Sequence, residues 1–362
     1  MRRTGGGPWL DPVPFLRGTA WWDGTRPVRT DPSVVGVLPW ELVERAALPV
    51  GVRLEFTASP GTRAVEVRYR ARTPGRDGAP PVPVHCFGLW RDGRRVGEAY
   101  GAPSAGEATA TLTLPPVAGR GAVFTVYLPE GAAPVVLGLR AVGGAVAAAP
   151  RRPRWVVYGD SITEGWWATR PAHAWPAAAG RALELDPVNL GYAGSARGEL
   201  PVARQLAALP AALLTLAFGT NCWGPVPTTA PFLYELTRAF VATVREGHPD
   251  TPLLVVSPLL RPDAETTANA SGATLAELRA AMEEAVRELR AAGDLRLVLL
   301  PGRPLLRPEH LWDGLHPDDA GHARLAAAVA DAVRAHGLAP AGGAGSVYGD
   351  RATRRHGVFT RG

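Results

Sequence analysis

The hydrophobic period changes near residue 150, and that change restricts the chain to a two-part architecture more tightly than any other feature. Before it, segments 52–58, 64–71, 110–114, 122–128 and 135–141 alternate or run apolar at strand length between Gly and Pro breaks. In 64–70, Val65, Val67 and Tyr69 take one face while Glu66, Arg68 and Arg70 take the other, the pattern of a sheet with one buried side. Asp92-Gly93, set between 86–90 and 96–100, is a tight hairpin signal because glycine supplies the positive φ the turn needs. Residues 1–150 therefore read as an all-β sandwich.

Beyond a linker-like stretch at 143–153, short apolar runs at 155–158, 187–190, 213–218, 253–257 and 295–300 alternate with helical stretches. Such runs suit strands buried on both faces of a parallel sheet. The clearest helix opens with Thr274-Leu275-Ala276-Glu277, a capping-box pattern, carries Leu278, Met282, Ala285 and Leu289 on one face, and stops at Gly293. This alternation predicts right-handed crossovers and a three-layer α/β domain over 151–337, with ligands beyond the carboxyl ends of the strands. Residues 338–362 read as a disordered basic tail.

Composition narrows the class. With 46% hydrophobic and 20% charged residues, the chain lies in the soluble globular range, away from membrane and disordered proteins. All 39 basic residues are arginine, against 33 acidic ones, for a net charge of +6. They are interleaved with Glu and Asp and form no basic stripe or RNA-binding motif, so neither nucleic acid nor a membrane is an expected partner. Cys86 and Cys222 stand in no metal or redox spacing, and no metal site is expected. Met1-Arg2-Arg3-Thr4, followed by three glycines and Pro8, lacks an apolar segment of signal-peptide type, which makes a cytoplasmic protein the expectation.

The chemistry gathers at strand ends. Trp155-Val156-Val157-Tyr158 runs into Gly159-Asp160-Ser161-Ile162-Thr163-Glu164-Gly165, a strand, a sharp turn and a helix that expose the Ser161 hydroxyl and free its N–H for an oxyanion. A serine that merely N-caps the next helix is the competing reading of that turn. Near the end of the α/β segment, Trp312-Asp313-Gly314-Leu315-His316-Pro317 sets a carboxylate and an imidazole on one loop, a base with its orienter. Here the competing reading is a helix N-terminus capped by Asp318, with His316 on the surface. Gly194 after the second parallel run and Asn221 after the third are possible oxyanion donors, each worth about 2.7 to 4 kcal/mol. Taken singly, both are ordinary turn residues. Their joint occurrence, in order and each at a strand end, favours catalysis.

These four blocks resemble the SGNH or GDSL-type serine hydrolases. Gly159-Asp160-Ser161 matches the first block, Gly194 the second, Gly219-Thr220-Asn221 the third, and Asp313-Gly314-Leu315-His316 with Pro317 the last. The resemblance covers roughly residues 154–336. It implies a flavodoxin-like fold and acyl transfer from oxygen or sulfur esters, with Ser161, Asp313 and His316 as a triad and Ser161, Gly194 and Asn221 as the oxyanion hole. Cys222 stands where members often carry Asp. A closer likeness, weaker over the first 150 residues, is to the branch with a β-sandwich before the hydrolase domain, mostly esterases, some acting on acetylated carbohydrate, with acyl transfer to a polyketide hydroxyl also represented.

Trp166, Trp167, Trp223 and Trp312 flank three of the four blocks and imply an apolar-walled cleft for a sugar or aromatic ring, with core packing as the alternative. Arg170 is a candidate for a phosphate or carboxylate, with surface pairing as its alternative. The expected substrate is a small-molecule ester or acylated carbohydrate, with no resident cofactor. Three functions stay open: an esterase, an acyltransferase that uses acyl-CoA as co-substrate, and an inert carbohydrate-binding protein.

Overall fold

The computed structural model describes residues 7–71, 86–101, 106–117 and 122–340. Most of the basic tail expected from 338 lies outside the described residues, although Leu338 is buried in the core beside the last helix.

The N-terminal part is two antiparallel sheets. One runs in the order Leu16–Arg17, Arg53–Ala58, Val123–Tyr127, Cys86–Arg91 and Arg94–Tyr100; the other places Ala64–Ala71 between Val135–Val142 and Gly106–Thr113. The alternation of 64–70 decides which side is buried: Val65, Val67 and Tyr69 join Leu54, Phe56, Phe87, Phe124 and Val126 in one core. Asp92 and Gly93 both adopt positive φ, 47° and 78°, as a two-residue hairpin with the right twist requires. The linker-like stretch is in part a strand, since Val146–Ala148 pairs with Arg53–Ala58. Its Ala-rich sequence hides that pairing, which depends on an open edge far away in the chain.

The second part is a five-stranded parallel sheet in the order Asp186–Gly191, Arg154–Gly159, Leu213–Ala217, Leu253–Val256 and Leu297–Leu300. Val156 and Tyr158 face helices Leu200–Ala208, Ala230–Gly247 and Leu275–Ala291, while Trp155 and Val157 face Trp175–Leu183 and Asp319–Ala335. The helix from Leu275 carries the expected capping box, Thr274 with Glu277. The last strand begins two residues later than its apolar run, because Leu295 lies exposed in the turn after Gly293. This is the doubly wound order 2-1-3-4-5, in which the chain departs in opposite directions on either side of the first strand. The crevice so created lies at the carboxyl ends of Arg154–Gly159 and Leu213–Ala217, the strands that lead to Ser161 and Asn221.

Residues between the sandwich strands Leu16–Arg17 and Arg53–Ala58 serve this second core. Leu38, Leu42 and Ala46 pack with Tyr158, Leu190 and Tyr192. Helix Trp40–Ala46 therefore sits on the parallel sheet, and the segment containing it reaches the crevice.

Candidate active site

Gly159 closes the first parallel strand because nothing larger fits: a Cβ there would lie 2.2 Å from Thr163 Oγ1 and 2.5 Å from the Ala217 carbonyl. Asp160 then caps the short helix Ser161–Glu164 by accepting from the Ile162 amide at 3.0 Å. Burial pushes the Asp160 carboxyl up to about 6 despite the amides that bond it. Ser161 occupies the first helical position, where its N–H has no carbonyl four residues back to satisfy it.

The loop before the last helix brings the other two groups. Gly314 (φ 81°) turns the chain so that Asp313 Oδ1 accepts the amides of Leu315 (3.0 Å) and His316 (2.8 Å). The loop is pinned at its base by the Trp312 amide on the His316 carbonyl, 2.8 Å. His316 Nδ1 lies 2.7 Å from Asp313 Oδ2 and Nε2 lies 2.8 Å from Ser161 Oγ. An ionised carboxylate accepts only, so Nδ1 carries the proton and Nε2 presents its lone pair to the serine hydroxyl. Partial burial alone would raise the Asp313 carboxyl; the His316 amide and imidazole and the Trp167 indole outweigh it and hold the group down at about 2. Asp318 also caps the last helix, so the capping and catalytic readings of this segment hold together.

Gly194 adopts φ 71° with open space where a side chain would stand, and its carbonyl accepts from Arg197 at 2.8 Å. Asn221 donates one amide hydrogen to the Ala196 carbonyl at 3.1 Å, which ties the third block to the second and leaves its other hydrogen for the crevice.

The tryptophans separate into two groups. Trp166 lies 5.6 Å from the His316 ring, Trp167 meets Trp166 edge-on (5.7 Å, 76°) and lies tilted against exposed Trp312 (6.4 Å, 39°), and the three form one aromatic wall. Trp223 belongs elsewhere: it packs on the core, donates to the Thr267 carbonyl at 2.8 Å and is covered by Arg261. Arg170 is held by Glu98 of the antiparallel sheet, 2.9 Å, the pairing alternative. Buried Cys222 touches the Arg197 carbonyl through sulfur.

Sequence reasoning missed several supporting side chains. Asn189, inside an apolar strand, donates to the Thr163 carbonyl at 2.7 Å and accepts the Gly191 amide at 2.8 Å. A lone Asn in a run buried on both faces must be satisfied, and that was its available signal. His322 accepts the Trp175 amide through Nδ1 and donates to the Trp166 carbonyl through Nε2, 3.3 and 3.0 Å, fixing the aromatic segment from below. Buried Arg29 and Glu164 carried no signal at all. Among the described residues no group of three or more His, Cys, Asp or Glu is arranged to hold a metal ion, and no helix is long and apolar enough to cross a membrane.

Residues 157–324 match the model of the GDSL-like lipase/acylhydrolase family. No curated protein matches the chain. Among solved structures, the salicylyl-acyltransferase SsfX3 from a tetracycline biosynthetic pathway is similar over 93% of this chain and 99% of its own, with a TM-score of 0.79 and 24% identity. A putative GDSL-like lipase from Bacteroides ovatus is similar over 91% and 97%, with a TM-score of 0.73 and 23% identity. A family two carbohydrate esterase from Clostridium thermocellum, in complex with cellohexaose, follows at 78% and 91%, with a TM-score of 0.55 and 17% identity. The first two likenesses span the antiparallel sheets as well as the parallel one, so the two-part architecture is shared.

Proposed function

We propose that this chain, whose residues 157–324 match the model of the GDSL-like lipase/acylhydrolase family, is a serine esterase that cleaves O-acyl esters of small molecules through an acyl-Ser161 intermediate. The observation that carries the reading is the continuous proton path from Ser161 Oγ through His316 to Asp313, 2.8 and 2.7 Å in its two links. A hydroxyl is a weak nucleophile at its own pKa, so Ser161 needs a base at that distance.

Ser161 Oγ attacks the ester carbonyl as its proton passes to His316 Nε2, and Asp313 steadies the imidazolium. The N–H groups of Ser161 and Gly194 and the free amide hydrogen of Asn221 hold the oxyanion. His316 then protonates the departing alkoxide, leaving acyl-Ser161. Water attacks the acyl carbon, gives its proton to His316, and collapse of the second tetrahedral species returns that proton to Ser161 Oγ. No resident cofactor is needed for these steps.

A second reading, transfer of the acyl group from acyl-CoA to a hydroxyl of a polyketide or sugar, is favoured by the wall of Trp166, Trp167 and Trp312. Those indoles offer a stacking surface for a ring-shaped acceptor and keep water from the acyl-enzyme. The fold likeness to a salicylyl-acyltransferase points the same way. The test is mass spectrometry and burst kinetics with a chromogenic acetate ester. A burst with one acetyl group on the protein, absent in Ser161→Ala, is expected; no turnover of any activated ester would favour the inert carbohydrate-binding alternative. With an acyl-CoA donor and added alcohols, acylated acceptor forming faster than free acid would establish transfer, and free acid alone would exclude it.

A further inference from the structure

Arg29 lies beyond the reach of the catalytic blocks in sequence, yet its guanidinium is buried directly beneath them. It follows the hairpin Trp21–Trp22 and Pro27–Val28. Nε donates to the Leu48 carbonyl at 2.9 Å, Nη2 to the Arg45 carbonyl at 2.5 Å, and Nη1 to the carbonyl of Gly191. The guanidinium stands 5.0 Å from the centre of the Tyr192 ring, and the Tyr192 hydroxyl donates back to the Arg29 carbonyl. Nη2 also lies 3.7 Å from Glu164 Oε2, and both side chains are almost fully buried.

Glu164 closes the arrangement. It is the last residue of the helix that Ser161 begins, and its Oε2 accepts the Ala193 amide at 2.9 Å. The two backbones press together here: a Cβ on Gly191 would lie 2.2 Å from the Glu164 amide nitrogen. The turn that presents Ser161 and the loop 191–194 that ends in Gly194 are thus joined through one carboxylate. A buried carboxylate requires a counter-charge, and Arg29 supplies it while gripping the same loop by the Gly191 carbonyl.

We propose that Arg29, paired with Glu164, is a positioning residue that holds loop 191–194 in register with Ser161, so that the segment between the sandwich strands Leu16–Arg17 and Arg53–Ala58 is part of the catalytic apparatus. The inference rests on the reading of Gly194 as an oxyanion donor. Such a donor acts on charge that develops in the transition state, so loosening its loop lowers kcat and leaves ground-state binding nearly unchanged. A residue serving stability alone would move the unfolding midpoint without that split.

The test compares the full-length protein with Arg29→Met, Glu164→Gln, Tyr192→Phe and Ser161→Ala on 4-nitrophenyl acetate, with circular dichroism as the check on folding. Glu164→Gln removes the charge but keeps an acceptor for Ala193, and Tyr192→Phe removes only the hydroxyl that anchors the loop to Arg29. Expected are a fall in kcat of about 100-fold for Arg29→Met and about 10-fold for each of the other two, with KM within about threefold of wild type. Should Arg29→Met fail to fold, the other two variants decide. A folded Arg29→Met with kcat within about twofold of wild type, or unchanged kcat in both Glu164→Gln and Tyr192→Phe, overturns the proposal, as does a rise in KM at constant kcat. Ser161→Ala separates the two levels: inactivity there with normal kcat in the Arg29 series rejects only this inference, whereas retained turnover in Ser161→Ala rejects the esterase reading and this inference with it.

Discussion

The indole Nε1–H of Trp167 donates to the same oxygen of Asp313, Oδ2, that receives Nδ1–H of His316, at 2.7 Å in each case. One carboxylate oxygen thus serves two donors, one from the proposed base and one from the aromatic wall. Sharing orients the carboxylate and withdraws part of its charge from the imidazole. The wall and the proposed triad are one hydrogen-bonded unit.

Trp167→Phe keeps the ring and removes the N–H. Asp313 then loses one of the donors that hold it near 2 and becomes a freer, less well oriented partner for His316. Ester turnover is expected to fall by roughly three- to tenfold, the scale of one hydrogen bond to a charged group made less ideal. Rates equal to wild type from pH 5 to 9 would show that the indole merely fills space.

Asp313→Asn should cost far more, on the order of 10⁴ in kcat, because an amide cannot hold the imidazole in the tautomer that accepts from serine. The same substitution tests linkage. The folded carboxyl is depressed to about 2 from an ordinary 3.8, so its contribution to stability is present above pH 3.8 and is lost as pH falls through 2. Urea midpoints of wild type and Asp313→Asn should converge over that window. A gap that stays constant with pH contradicts the depressed carboxyl.

His322 is fully buried, and burial pushes its imidazole down to about 4, beyond what the Trp166 carbonyl and Asp319 do to favour the charged form. The unfolded chain therefore binds a proton between pH 6.5 and 4 that the folded chain refuses. Stability is whole above 6.5 and declines by about 3 kcal/mol as pH falls to 4. His322→Gln can still accept from the Trp175 amide and donate to Trp166 but carries no titrating group, so its stability should vary less over this interval. Parallel curves for the two proteins would refute the assignment.

Burial also pushes the Cys222 thiol up to about 12, and Cys86 is buried and raised as well. Thiolate is the reactive form, so both should resist iodoacetamide at pH 8 in the folded protein and react only on unfolding. Catalysis should survive the reagent. Rapid modification of native protein with loss of activity would place a reactive thiol at the site.

The legible part of this protein is the part written locally. The alternation of 64–70 and the apolar runs of the parallel sheet announced their strands, and Thr274 with Glu277 announced a helix start. Ser161, Asp313 and His316 could be singled out because each sits beside its own turn chemistry: Gly159 and Asp160 before the serine, Gly314 between the other two. Val146–Ala148 could not be told from a linker, since its three residues become a strand only against Arg53–Ala58. Trp223 and Arg170 take the alternatives the sequence also offered, core packing and pairing. Both lie a few positions from candidate site residues, Asn221 and Trp167, while their partners in space are Thr267, Arg261 and Glu98.

Sequence alone determined the periods, caps and glycine turns that create each element, with Ser161, Gly194 and Asn221 each following one of three successive strands and Asp313 and His316 sharing the loop before the last helix. Those signals act over a few residues, where backbone geometry is set by the side chains beside it. Tertiary structure decided that the side chains of Ser161 and His316, 155 positions apart in the chain, lie 2.8 Å from each other. It also decided which arginine among 39 is buried beneath the site. No local pattern marks Arg29, because a guanidinium becomes a counter-ion only where packing has already removed water from a carboxylate brought in from elsewhere.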